Sequence, residues 1–197
     1  QESKFKDLLA IYKVTYQEFD MEYAQDLIKV IDVNVKQKYS KASTGYKSIM
    51  KIILALANHS EYIFLDEPVL GLDANHRHIF NKKLLEAYAR RPRTFVIATH
   101  LIEEVASILE KVIVIKDGVV TEEVLVEDVL RKGYVVSGAS TLVQEYVADK
   151  KVLETEQIGN FTRSVVIGAI GEAQPGLEFS PLTLQDYFIS ITRKENE

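Results

Sequence analysis

The sequence predicts an α/β fold: a parallel sheet preceded by a helical region and followed by a small α+β appendage. Three observations predict it. Three short apolar runs, residues 62–65, 95–98 and 112–115, are rich in β-branched or aromatic residues and too short for helices, as expected of strands buried on both faces of a parallel sheet. Two helical stretches, about 74–89 and 101–109, separate these runs, and that alternation implies right-handed parallel crossovers. Before the first run the apolar residues follow helical spacing, and after the last one hairpin signals take over.

Taken in order, residues 4–16 place Phe5, Leu8, Leu9 and Tyr12 on one face of an amphipathic helix. Asp20 is a candidate N-cap for a second helix through Ile31, with Tyr23, Leu27 and Val30 on its apolar face. A polar, irregular segment over 32–40 leads to a third helix, about 45–58, that buries Ile49, Ile52, Ile53 and Leu56. Beyond the three apolar runs, Lys116-Asp117-Gly118 marks a hairpin turn into Val119-Val120. A short helix over 124–131, a strand at 134–136 and a hairpin of 151–158 with 161–167 about Gly159-Asn160 follow. Thr183 with Asp186 three residues later opens a last helix by a capping-box pattern. These segments divide the chain into a helical part over 1–60, an α/β part over 61–122 and a further region over 123–197.

Composition narrows the function classes. The chain has 197 residues, 47% hydrophobic and 27% charged, enough to bury a sizeable core. A net charge of −5 gives no general reason to expect nucleic-acid binding. The absence of cysteine removes disulfides and thiolate metal sites. No apolar run approaches the roughly 18 to 20 residues of a membrane span, and the start does not read as a signal peptide. A first residue Gln1 rather than Met suggests a natural start further upstream.

The chemistry concentrates at Tyr62-Ile63-Phe64-Leu65-Asp66-Glu67, a strand with two carboxylates at its carboxyl end, where open α/β sheets bind ligands. Alone, that run reads as a strand entering a solvated acidic turn. Phosphoryl transfer, however, wants one acid to hold Mg²⁺ through water and another group to orient the attacking water. Asp73 follows in Gly71-Leu72-Asp73, and His100 follows the next strand in Ala98-Thr99-His100. Upstream, Ala42-Ser43-Thr44-Gly45-Tyr46 opens a helix, where backbone N–H groups and a hydroxyl can meet a phosphate. A lone His at a strand end is otherwise a surface imidazole capping the next helix.

In this order and spacing the residues resemble the ATP-binding-cassette (ABC) ATPase family. Residues 42–46 match its signature loop, 62–67 its Walker B strand, 71–73 its D-loop and 99–100 its H-loop, and the likeness extends over about residues 5–120. The resemblance implies a partial P-loop NTPase fold and an ATP-hydrolysing subunit of a transporter. Asp66 would then help hold Mg²⁺, Glu67 would act as general base or water-orienting group, and His100 would contact the γ-phosphate. Ser43, Thr44 and Gly45 would meet ATP held by a second cassette, with Asp73 communicating across that dimer. Partners implied are a second ABC subunit and a membrane permease, with the protein peripheral on the cytoplasmic face of the cell membrane. The helices over 4–31 correspond by resemblance to the region where the family docks its membrane partner. Tyr12, Tyr16 and Phe19 as exposed aromatics fit such docking, although ordinary helix packing accounts for them at least as well.

Two departures stand out. The signature is not the usual Leu-Ser-Gly-Gly-Gln: Ala42, Thr44 and Tyr46 replace its Leu, first Gly and Gln, while Ser43 and Gly45 are kept, a divergence that resembles some bacterial exporter subunits. No Gly-x-x-x-x-Gly-Lys-Ser/Thr string occurs, and Gly45-Tyr46-Lys47-Ser48 lacks the earlier Gly and follows no strand. The expectation is a fragment with uncovered apolar faces, inactive as an ATPase alone. A non-transport ABC ATPase, or an inactive partner-binding module, are the alternative readings. Retention of Asp66, Glu67 and His100 argues against the second, and the lack of coiled-coil heptads argues against a DNA-repair type of the first.

Overall fold

The structure is a computed structural model that describes residues 3–172 and 174–193. It divides between Ile108 and Leu109 into two compact units.

The first unit opens with α1 (Phe5–Thr15), which buries Phe5 and Leu9. Helix α2 (Met21–Ile31) starts where Asp20 accepts a hydrogen bond from the Tyr23 amide at 2.8 Å, the expected N-cap. Its buried residues are Ala24 and Leu27; Val30, expected on that face, is exposed. Phe19, expected to be exposed, is buried. Helix α3 (Thr44–Ala57) is apolar nearly all round and forms the core of this unit, burying Ile49, Met50, Ile52, Ile53, Leu54 and Leu56. Strands β1 (Tyr62–Asp66) and β2 (Thr94–Ala98) pair in parallel, Tyr62 with Thr94 through Asp66 with Ala98, and α4 (Ala74–Arg90) makes the crossover. After β2 comes a single turn, α5 (Ile102–Val105), continued as a 3-10 turn at Ala106–Ile108.

Strand β1 departs from the expectation of burial on both faces. Ile63 and Leu65 are buried, but Tyr62 and Phe64 are 63% and 75% exposed, and Val96 on β2 is 39% exposed. A continuous apolar run does not reveal which face is covered, because coverage depends on what packs above it.

The second unit begins with β3 (Lys111–Lys116) and β4 (Val119–Leu125), an antiparallel hairpin. The expectation of β3 as a third parallel strand is corrected here: among the described residues it pairs with β4 alone. Asp117 at φ 50° and Gly118 at φ 78° make the tight turn that sends the chain straight back. After α6 (Val126–Arg131), β5 (Gly133–Ala139), β6 (Lys151–Ile158), β7 (Phe161–Ile167) and β8 (Leu177–Pro181) form an antiparallel sheet in the order β6-β7-β5-β8. Helix α7 (Ser140–Val147) packs Val143 and Tyr146 against Tyr134, Val136 and Val166 on one face. Helix α8 (Leu184–Arg193) contacts β6 and β7, bridging Asp186 to Arg163 at 2.7 Å and Ser190 to Glu154 at 3.2 Å. The Thr183–Asp186 capping box is present, with the Asp186 amide donating to the Thr183 hydroxyl at 3.1 Å and the Thr183 amide donating back to Asp186 at 3.4 Å. Helix α7 and strand β8 had no counterpart in the expected elements.

Candidate functional site

The parallel pairing of β1 and β2 brings their carboxyl ends side by side, and two of the expected site residues meet there. The Glu67 amide donates to the Ala98 carbonyl at 2.8 Å, one residue beyond the last strand pair. Glu67 has φ +46°, a left-handed conformation that a non-glycine residue holds at a cost of order 1–3 kcal/mol. That turn directs its carboxylate to the loop after β2. His100 Nδ1 stands 2.8 Å from Glu67 Oε1, the His100 amide donates to the same oxygen at 3.2 Å, and the Thr99 hydroxyl donates to Oε2 at 2.8 Å. Burial pushes the Glu67 carboxyl up, but the hydrogen bonds from His100 and Thr99 prevail and hold it below the usual glutamate range. The His100 ring faces Glu67 instead of capping α5, whose N-cap residue is Leu101.

Thr99 is the residue that the sequence reading named only as part of a motif. Its hydroxyl donates to Glu67 and accepts from the Leu101 amide at 3.0 Å, so it fixes both the carboxylate and the loop. Its place directly before a candidate site histidine was the signal available.

The signature and D-loop residues form a second cluster. Ser43 is the N-cap of α3, accepting from the Tyr46 amide at 3.2 Å, and Thr44 is the first, exposed residue of that helix. Gly45 is buried against Gly71: a Cβ built on Gly45 would lie 2.2 Å from the Gly71 carbonyl oxygen, so no larger residue fits without moving backbone. The Ser48 hydroxyl donates to the Leu70 carbonyl at 3.2 Å, a second tie between α3 and the loop after β1. Asp73 is the N-cap of α4, accepting from the His76 amide at 2.8 Å with the His76 ring 2.9 Å away. These hydrogen bonds, the backbone one first, hold the Asp73 carboxyl below its usual range. Ser43, Gly45, Gly71 and Asp73 line one open cleft of about 490 Å³. Tyr46, in place of the family's Gln, uses its hydroxyl to accept from the Asn34 amide, which pins the 32–38 loop to α3.

Asp66 ends β1, is exposed, and lines a different cleft of about 440 Å³ with Tyr12, Tyr16, Lys51, Phe64 and Pro68. Its hard carboxylate oxygens suit Mg²⁺, which keeps several waters and takes one or two carboxylates plus phosphate oxygens. Among the described residues no group of three or more His, Asp or Glu side chains clusters to hold a metal ion. No helix among the described residues is long and apolar enough to cross a membrane.

Comparison with known proteins bears on what these clusters serve. No family model matches the chain. Among curated proteins it is 29% identical over 131 residues to ABC transporter ATP-binding protein YtrB of Bacillus subtilis (strain 168), covering 66% of this chain and 44% of that one. It is 33% identical over 108 residues to the spermidine/putrescine import ATP-binding protein PotA of Malacoplasma penetrans (strain HF-2), covering 54% of this chain and 18% of that one. The chain thus spans less than half the length of these curated relatives. Among solved structures, the ATP-binding subunit of an ABC transporter superposes with TM-score 0.57 at 18% identity, covering 66% of this chain and 56% of that one. A putative cobalt transport ATP-binding protein superposes with TM-score 0.57 at 18% identity, covering 86% and 61%. The curated relatives are ABC transporter ATP-binding proteins and the fold resembles that of solved ABC ATP-binding cassettes, so the chain is similar to part of an ABC ATP-binding subunit.

Proposed function

We propose that this chain supplies the signature, Walker B, D-loop and H-loop portion of a cassette that couples ATP hydrolysis to transport through a membrane permease. The observation that carries the reading is the Glu67–Thr99–His100 arrangement at the adjoining ends of β1 and β2. There, Glu67 is an ionised acceptor held in a strained turn, able to orient an attacking water, and His100 is placed beside it to meet a terminal phosphate. Asp66 is the residue to hold Mg²⁺ through water; the ion supplies charge neutralisation on the phosphates when bound. Ser43, Thr44 and Gly45 at the start of α3 present a hydroxyl and backbone N–H groups to ATP on a second cassette. Asp73, in the same cleft, is the contact to that partner. The protein would sit peripherally at the cytoplasmic face of the membrane. The three-part division at residues 60/61 and 122/123 remains our functional partition of the chain, with 123–197 as an accessory region.

Because the sequence holds no phosphate-binding loop, the chain by itself neither binds ATP tightly nor hydrolyses it. The test is ATP turnover by this chain and by a subunit in which the same residues accompany a phosphate-binding loop. The expected result is no Mg²⁺-dependent turnover from the chain, and turnover in the longer subunit that Glu67→Gln lowers by about a hundredfold or more. Turnover by the chain itself that Glu67→Gln abolishes would overturn its dependence on a loop from elsewhere. Unchanged turnover of the longer subunit after Glu67→Gln would overturn the site assignment.

A further inference from the structure

The first unit carries another cleft, which the proposed ATPase role does not use. It has a volume of about 220 Å³ and is lined by Tyr23, Leu56, His59, Arg90, Arg91 and Arg93. The chain concentrates three guanidinium groups here, between the end of α4 and the start of β2. Arg91 is accounted for, since it donates to Glu18 at 2.9 Å. The other nearby carboxylates are engaged as well. Asp20 caps α2 and lies 3.8 Å from His59 Nε2, while Glu86 accepts from Lys83 at 2.7 Å.

Arg90 and Arg93 are different. Arg90 lies over the Tyr23 ring at 4.9 Å, and Arg93 donates to the Leu56 carbonyl at 2.9 Å while lying 5.1 Å from the Phe95 ring centroid. Among the described residues, neither makes an ion pair with a carboxylate. A cation near the last turn of a helix complements its dipole, which accounts for Arg90 on its own. It does not account for Arg93, which lies beyond the helix.

Two donors at this cleft are also left over. Among the described residues, the Arg93 Nε–H and the Tyr23 hydroxyl are buried without a hydrogen-bond partner. A buried donor without an acceptor is unfavourable; one of these belongs to the Arg93 cation itself and the other to Tyr23, whose ring lies under Arg90. Desolvation, followed by the neighbouring Arg91, pushes the Arg93 guanidinium below its usual range, as expected of a cation lacking a counter-charge.

We propose that this cleft is an oxyanion site for a phosphate group, with Arg90 and Arg93 as its cations and the Tyr23 hydroxyl as its neutral donor. A guanidinium fork matches phosphate oxygens two at a time, which a lysine cannot do. The size fits: about 220 Å³ of open cleft has room for a hydrated phosphate. Inorganic phosphate and a lipid headgroup share this chemistry, and the experiment separates them.

The 197-residue chain is titrated with sodium phosphate at constant ionic strength, with chloride making up the balance, while arginine Nε–H resonances are followed by NMR. The expected result is a saturable shift, largest at Arg93, that chloride does not produce. Arg90→Gln weakens binding by about tenfold and Tyr23→Phe by severalfold, with the remaining resonances reporting an intact fold. Sedimentation with phosphatidylglycerol vesicles, against phosphatidylcholine vesicles, identifies the source. Binding that Arg90→Gln removes and free phosphate competes away assigns a lipid headgroup; saturable phosphate binding without vesicle binding assigns the free anion. A shift that chloride reproduces, or that neither variant weakens, overturns the site. No nucleotide enters the measurement, so its outcome is independent of the ATPase reading.

Discussion

The Thr99 hydroxyl donates to Glu67 Oε2 at 2.8 Å and accepts from the Leu101 amide at 3.0 Å, so one side chain joins the carboxylate after β1 to the loop after β2. With Glu67 ionised, His100 Nδ1 is the donor in the adjoining contact at 2.8 Å. Thr99→Val leaves Glu67 without one of its donors and frees it to turn away. The expected consequence is a shift of the neutral His100 ring toward the Nε2–H tautomer, read from ¹⁵N chemical shifts, with Thr99→Ser restoring the original ratio. Identical ring shifts in Thr99→Val would remove Thr99 from the arrangement.

Gly45 should be intolerant of any side chain. A methyl group there meets the Gly71 carbonyl at 2.2 Å, and both contact partners are backbone. Gly45→Ala is expected to destabilise the chain by about 1–3 kcal/mol in urea denaturation, through overpacking. Gly71 has φ +76°, so Gly71→Ala is strained for a different reason, and the two losses should not add because the sites touch.

Asp73 has a structural task that can be separated from any role between subunits. As N-cap of α4 it accepts from the His76 amide at 2.8 Å. Asp73→Ala should cost about 1 kcal/mol of stability, whereas Asp73→Asn, an equally good cap, should cost only a few tenths. Equal losses in thermal unfolding would show that the negative charge, and not the cap, matters to the fold.

The second unit should lose stability in alkali. Tyr187 donates to Glu122 at 2.5 Å and accepts from Lys132 at 2.9 Å. The bond to Tyr187 raises the Lys132 ammonium pKa, and burial followed by the Glu122 contact raises that of the Tyr187 hydroxyl. Groups raised in the folded state contribute stability that is complete below their unfolded pKa, about 10 to 10.4 here, and is lost as pH rises through the folded values. The stability advantage over Tyr187→Phe should therefore be constant from pH 6 to about 9 and shrink above about 10. A flat difference to pH 11, followed by circular dichroism during chemical denaturation, would count against this coupling.

The bare face of β1 makes a prediction in the opposite direction. Tyr62 and Phe64 are 63% and 75% exposed. Phe64→Ser should change stability by no more than about 0.5 kcal/mol, because little burial is lost. Fluorescence of an apolar dye bound to the protein should fall, since the exposed patch shrinks.

The elements that local rules govern were legible in the sequence. Asp20 and the Thr183–Asp186 pair cap helices where their spacing says they must, because a cap depends on residues three apart. Helix α3 and the paired strands β1 and β2 followed from apolar periodicity and run length. Helix α7 was missed because Ser140 to Val147 buries only Ser140, Val143 and Tyr146, too few for a clear stripe. Strand β8 was missed because its five residues sit beside β5 at the sheet edge, where pairing rather than pattern defines the strand.

The amino-acid sequence by itself determined which residues can do chemistry and in what order they come: Ser43 and Gly45, Asp66 and Glu67, Asp73, His100. Only the tertiary structure decided which of them meet. Parallel pairing of β1 with β2 puts Glu67 beside Thr99 and His100, and the contact of Gly45 with Gly71 puts the signature residues beside Asp73. It also decided that Phe64 faces outward and that Arg90 and Arg93 share a cleft without a counter-charge among the described residues. The physical reason is common to all four. Capping and periodicity are interactions between near neighbours in the chain, whereas burial, strand partnership and charge pairing are set by residues tens of positions away that come together only when the chain folds.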